Sequence, residues 1–168
     1  MKQTKKTKKT ESGRSMIEMV GVLAVMGLIT AGAFVLITSA MKSQKISRVD
    51  DDVSAIAAGV RLMYNSAENF TGITNDVVGA LGFSGNNPYG GSYYVSGTGT
   101  TFYVYIGGLS SSDCKALTGR KFPGGGDTVT GGTGVQVSGA GVASLQGTSC
   151  PASGTGAVRI TYQKVQSN

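Results

Sequence analysis

The sequence predicts an α+β chain: one long helix, then a mainly antiparallel β-sheet against which the helix's second half packs. Three observations predict it. No charged residue occurs from position 19 to position 41. Apolar residues then recur at helical spacing as far as Phe70, with no proline between Arg14 and Phe70. The rest alternates like β-structure and holds two cysteines, Cys114 and Cys150, in glycine-rich surroundings.

The uncharged run is 23 residues long. As a helix it spans about 33 Å, enough to cross a bilayer core. The downstream sequence is too poor in apolar residues to wrap such a helix on every side, which argues against a buried core helix. A removed secretory signal is the rival reading, because five lysines (Lys2, Lys5, Lys6, Lys8 and Lys9) precede the run. The run exceeds the roughly 7–15 apolar residues of such a signal, and only Thr38-Ser39-Ala40 offers a weak small-residue cleavage site. A retained helix is the expectation. The lysine tract faces Glu11 alone, whereas Lys42, Lys45 and Arg48 are followed by Asp50, Asp51 and Asp52. The positive-inside tendency then keeps the tract cytoplasmic and exports everything after Met41.

At the start of the run stands Gly13-Arg14-Ser15-Met16-Ile17-Glu18. A lone carboxylate at the edge of a membrane-grade segment is costly unless it is used. This arrangement resembles the N-terminus of type IV prepilins and the related pseudopilins. In that family a dedicated membrane peptidase cuts after the glycine, and glutamate is the fifth mature residue; counted from Arg14, Glu18 is fifth. The resemblance implies removal of residues 1–13, a mature subunit of 155 residues, and methylation of the new amine on Arg14. The family more commonly has Phe, Met or Leu at that position. A glycine lets a protease approach the backbone closely. Glu18 needs a cationic partner in hydrocarbon. By resemblance, that partner is the N-terminal amine of a neighbouring subunit, with the Arg14 guanidinium as a second cation. The plainer alternative is a glutamate that reaches back to the interface.

Gly21, Gly27 and Gly32 each weaken a helix by about 1 kcal/mol relative to alanine. They allow close helix packing, Gly27 and Ala31 forming a small-xxx-small pair, or local extension of the segment. Glycine is also simply common in membrane helices.

Ile46, Val49, Val53, Ile56, Val60, Met63, Ala67 and Phe70 form one apolar stripe, with Arg48, Asp52, Arg61, Asn65 and Glu68 on other faces. One helix of roughly 55 residues follows, with Gly72 as its stop. Coiled-coil pairing is a rival use of the stripe, but covering the domain that follows in sequence suits it better. The expected organisation is a basic leader over 1–13, a membrane and polymerisation helix over 14–41, an amphipathic helix over 42–72 and a β-rich head over 73–168.

Within the head, Asn75 to Leu81 reads as a short helix capped near Thr74. Asn86-Asn87-Pro88-Tyr89-Gly90-Gly91 is a loop. Tyr93-Tyr94-Val95 follows; Phe102, Val104 and Ile106 alternate with Tyr103 and Tyr105; and Val158, Ile160 and Tyr162 alternate with Arg159 and Thr161. Ser110 can cap a helix through Leu117. Cys114 and Cys150 lie on the exported side, where disulfides persist. A bridge would stabilise the closed segment by roughly 4 kcal/mol in chain-entropy terms. Twelve glycines between positions 119 and 156 make that constraint useful; two free thiols are the alternative. The position matches the C-terminal disulfide loop of type IV pilins. With the longish leader and the Asn-Pro-Tyr-Gly-Gly loop, it leans toward the type IVb and conjugative branch.

The chain has no histidine, which excludes His-dependent triads and imidazole metal sites. No acid–base pair or cofactor motif stands out, and Lys121 with Gly124-Gly125-Gly126 lacks the phosphate-loop order. An enzyme is not expected. Asn69-Phe70-Thr71 matches a glycosylation sequon, a frequent chance occurrence. Residues 1–13 carry +4 of the net +6, so the mature chain holds only +2. Lys115, Arg120 and Lys121 could touch nucleic acid, although solvated surface charge explains them as well.

The resemblance therefore implies a structural subunit of a type IV pilus, with the type IV pilin fold. Such a subunit is held in the inner membrane, cleaved by prepilin peptidase and assembled by a platform protein and an ATPase into a helical surface filament of identical copies. Adhesion, motility, DNA uptake or conjugation are its candidate tasks. A type II secretion pseudopilin is the first alternative; residues 140–168 contain no Asp or Glu for the calcium loop usual in major pseudopilins. A monomeric membrane-anchored extracytoplasmic binding protein is the second.

Overall fold

The computed structural model describes residues 12–164, so the lysine tract of the expected leader lies outside the described residues. The chain divides between Gln44 and Lys45 into two units. Helix α1 (Ser12–Met63, 52 residues) supplies all described structure of the first unit and opens the second.

In the first unit α1 is exposed on every side, from Met16 (71%) through Leu28 (76%) to Met41 (55%). It is long and apolar enough to cross a membrane. Two of its hydroxyls are satisfied locally: Thr30 Oγ1 donates to the Met26 carbonyl at 2.8 Å, and Thr38 Oγ1 to that of Val35 at 2.9 Å. No water is needed for those two groups, as a lipid environment requires.

The second unit is a head built on the expected stripe. Val49, Val53, Ile56, Ala57 and Val60 are buried in one core with residues of the sheet. That sheet has four strands, β1 (Tyr93–Thr98), β2 (Thr101–Ser110), β3 (Gly126–Gly132) and β6 (Thr155–Gln163), in the antiparallel order β1-β2-β6-β3. Phe102, Val104 and Ile106 pair with Tyr162, Ile160 and Val158, and all six are fully buried. The alternation read from the sequence is thus the inward face of the two central strands. A second sheet pairs β4 (Gly134–Val137) with β5 (Ala143–Gln146). Ser96 Oγ joins the two sheets by donating to the Ala143 carbonyl at 2.9 Å, 3.1 Å from the Tyr105 hydroxyl. Tyr105, on the outward register, is buried for that reason.

Two local expectations are corrected. The helix was expected to reach Phe70, but α1 stops at Met63, which is half-exposed rather than on the buried stripe. The chain turns there, and the Phe70 amide donates to the Gly99 carbonyl at 2.7 Å. The Phe70 ring meets Phe102 edge-on at 4.9 Å, a contact a straight helix would forgo. The second is the short helix α2 (Asp76–Ala80), whose N-cap is Asn75 without a side-chain cap bond; Thr74 instead donates to the Asp76 carboxylate. Asn75 Oδ1 accepts the Val95 amide at 3.3 Å, bracing strand β1.

Helix α3 (Ser111–Thr118) is capped as expected: Ser110 Oγ accepts the Asp113 amide at 3.2 Å. Strands β3, β4 and β5 occupy the glycine-rich stretch where the sequence indicated no strand. The loop after α2 docks through Asn87, whose Nδ2 donates to the Gly107 carbonyl at 2.8 Å while its Oδ1 accepts the Tyr89 and Gly91 amides. A Cβ on Gly91 would lie 2.0 Å from the Gly107 oxygen, so only glycine fits.

Four phenols bind their protons more tightly than the ordinary value of 10.0. Burial and the hydrogen bond to Asp52 push Tyr93 far up. Burial pushes Tyr162 up to about 12, against the opposing Arg61 charge. Tyr89 and Tyr105 are raised mainly by burial. A raised pKa in the folded state stabilises fully below the unfolded value and is lost as pH climbs through the folded one. Head stability is therefore expected to hold to about pH 10 and then fall, these four tyrosines ionising only as structure is lost. Tyrosinate absorbance and circular dichroism followed together on alkaline titration check this; seven phenols ionised on an intact fold would refute it.

Candidate functional site

The candidate site along the apolar part of α1 is built by helical periodicity alone. Gly13 and Arg14 lie in its first turn. Glu18 is exposed and borders a shallow groove with Gly21, Val22, Val25, Met26 and Ile29. At about 100° per residue, Gly21 and Gly32 fall within about 60° of Glu18, whereas Gly27 lies about 180° away. The structure thus gathers Glu18, Gly21 and Gly32 on one side, and sets Gly27 with Ala31 toward the other. A Cβ added at Gly21, Gly27 or Gly32 would meet nothing within 4 Å. None of the three is needed to pack this chain on itself. Their small size is available for a neighbour's backbone.

The second site is the Cys114–Cys150 disulfide, with Cα atoms 5.8 Å apart. It ties α3 to the segment between β5 and β6. Two glycines seat it: a Cβ on Gly131 would lie 2.5 Å from Cys150 Sγ, and one on Gly156 would lie 3.3 Å from Cys114 Sγ. Beside the bridge a groove of about 420 Å³ is bordered by Lys115, Thr118, Thr130 and Ser149. Of the three cations noted as a basic patch, Arg120 is held by Asp50 at 2.8 Å, while Lys115 borders this groove. Among the described residues there is no group of three or more His, Cys, Asp or Glu placed to hold a metal ion.

A third feature escaped the sequence. Arg61, expected on a solvent face of the helix, lays its guanidinium carbon 5.5 Å from the Tyr162 ring and 5.9 Å from that of Phe102. Phe102 and Tyr162 are themselves stacked, 5.0 Å apart and 9° from parallel. The Arg61 Nε is buried without an acceptor. With Tyr64, Asn65, Phe70 and Lys164, Arg61 lines a cavity of about 120 Å³. Nothing in the local sequence around Arg61 signals this, because the rings come from strands 41 and 101 positions downstream.

Removing the disulfide, by reduction or by replacing both cysteines with serine, is expected to cost about 4 kcal/mol of head stability. Gly131→Ala is expected to push the Cys150 sulfur from its seat, lowering the unfolding midpoint and making the bridge release labelled thiol at a lower concentration of added dithiothreitol. Denaturant unfolding with thiol counting reads both, and an unshifted midpoint for either variant would contradict the role assigned to the bridge. Neither a family model nor a curated protein sequence matches this chain.

Proposed function

We propose that this chain is a structural pilin subunit, processed at Gly13–Arg14 and assembled through α1 into a helical type IV surface fibre. One observation carries the reading: an uncharged, fully exposed helical stretch that opens on the lone carboxylate Glu18 and leads into a disulfide-closed α+β head. Such a stretch is unstable in water and satisfied by lipid or by other helices. Small residues on two sides of it suit a helix with neighbours on more than one side, as in a fibre core.

On this reading the subunit waits in the inner membrane with its head outside. Prepilin peptidase removes the leader and frees the α-amine of Arg14. Glu18 of the incoming copy pairs with such an amine, which sets the axial register between subunits. Moving the helix from lipid to a bundle of like helices changes apolar burial little, so packing and this charge pair supply the selectivity. The platform protein and ATPase supply the work of extraction. The head coats the fibre and carries its contacts with the outside. The role is structural rather than catalytic.

Mass spectrometry of sheared surface filaments is expected to find a chain beginning at Arg14 with Cys114 and Cys150 bridged. Glu18→Ala is expected to leave membrane levels unchanged while lowering incorporation at least tenfold, on the order of the 1–3 kcal/mol of a charge-assisted contact. Filaments whose subunits still begin with the lysine tract, or that incorporate Glu18→Ala normally, would refute the proposal.

A further inference from the structure

The Asn69-Phe70-Thr71 tripeptide, which the fibre reading leaves unused, stands between α1 and α2, outside every helix and strand. Of the chain's six asparagines, Asn69 alone has serine or threonine two places on. The middle residue is the anchor. Phe70 is 2% exposed, packs edge-on against Phe102, and donates its amide to the Gly99 carbonyl at 2.7 Å. The Gly99 amide in turn donates to Thr71 Oγ1 at 3.1 Å, so the tripeptide is tied twice to the turn between β1 and β2. With Phe70 in the core, Asn69 and Thr71 on either side of it are exposed.

Asn69 uses half of its amide. Its Oδ1 accepts the Thr71 amide at 3.0 Å, and among the described residues its Nδ2 donates to nothing. Asn87, by contrast, is buried with both amide atoms bonded. Replacing one Nδ2 proton of Asn69 by a sugar therefore breaks no hydrogen bond within the head. The Thr71 hydroxyl accepts from Gly99 and keeps its own proton for an outside acceptor. An asparagine followed two places on by a hydroxyl, at the surface of an exported segment, is the acceptor pattern for N-linked glycosylation. Here one buried ring displays both groups together.

We infer that Asn69 is an N-glycosylation site, which takes an oligosaccharide from a polyprenyl-diphosphate donor on the exported side of the membrane. Nδ2 attacks the anomeric carbon of the first sugar. A C–N bond forms there as the bond from that carbon to the diphosphate oxygen breaks. The amide gives one proton to a base on the transferase, and the polyprenyl diphosphate leaves with the electron pair. The inference rests on export of the head and not on its assembly into a fibre.

The test is mass spectrometry of the chain purified from the membranes of the cells that make it. After reduction, cleavage at Arg61 and Lys115 yields the peptide 62–115. That peptide is expected to carry the mass of a whole number of sugar residues, placed on Asn69 by fragmentation. Asn69→Gln and Thr71→Ala are each expected to bring the added mass below detection. Thr71→Ser keeps the hydroxyl and is expected to retain it. The Cys114–Cys150 link, scored in the unreduced digest of each variant, reports that the head has folded. Protease added to spheroplasts scores export in the same cells. Unmodified Asn69 on an accessible head would overturn the site alone; unmodified Asn69 on a protected head would overturn it together with export. Added sugar that persists in Asn69→Gln lies elsewhere and would also overturn the assignment.

Discussion

Fifteen large apolar side chains between Met16 and Met41 stand exposed on α1, and that exposure constrains everything else about the molecule. At about 25 cal/mol per Å² of apolar surface, such a segment cannot rest in water. Among the described residues it has no internal partner: Thr30 and Thr38 bond to its own backbone, and a Cβ on Gly21, Gly27 or Gly32 would meet nothing within 4 Å. The cover must therefore come from outside, as lipid, as other copies, or as one after the other. Lipid tails and aliphatic side chains are nearly equivalent in apolarity, so apolar burial alone does not distinguish the two. Arg14 and Glu18 are the charges that stand at the N-terminal end of this stretch.

The head solves a different problem with the continuation of the same helix. Val49, Val53, Ile56, Ala57 and Val60 are buried in the core shared with β1, β2 and β6, and two of the acids between them are put to use. Asp52 accepts the Tyr93 hydroxyl at 2.8 Å, and Asp50 accepts the Arg120 guanidinium at 2.8 Å. Both contacts join the helix to distant parts of the head. Because the phenol is buried and the ion pair is only partly so, the first contributes more to holding the helix in register.

The glycine-rich half of the head is ordered by closure and close approach rather than by bulk. It presents few large side chains, and its strands β4 and β5 are only four residues each. The Cys114–Cys150 bridge reduces the entropy of the unfolded segment, and Gly131 and Gly156 leave room for the sulfurs. Glycine here is a packing residue: it lets backbone and disulfide meet where a side chain would intervene. The same economy opens the groove beside the bridge, where Gly131 forms part of the wall.

Local pattern was enough for the helices and for the central strands. The 19–41 run, the stripe from Val49 to Val60, the alternation in β2 and β6, the Ser110 cap and the pairing of the two cysteines were all legible, because each depends on spacing or on the absence of any other partner. The extents and contacts set at long range were not. Phe70 continues the helical spacing, yet it leaves the helix to meet Phe102, a choice made by a ring on another strand. Strands β3 to β5 have too little apolar alternation to announce themselves; β3 is held by pairing with β6, and β4 and β5 by pairing with each other. Arg61 reads as a solvent-facing charge until Phe102 and Tyr162 are brought beneath it. Sequence alone determined the apolar helix, its lone acid and the helix-on-sheet class, since those follow from local periodicity and charge. Tertiary structure decided where the helix ends, how the glycine-rich segment pairs and what Arg61 faces, since each depends on groups far apart in the chain.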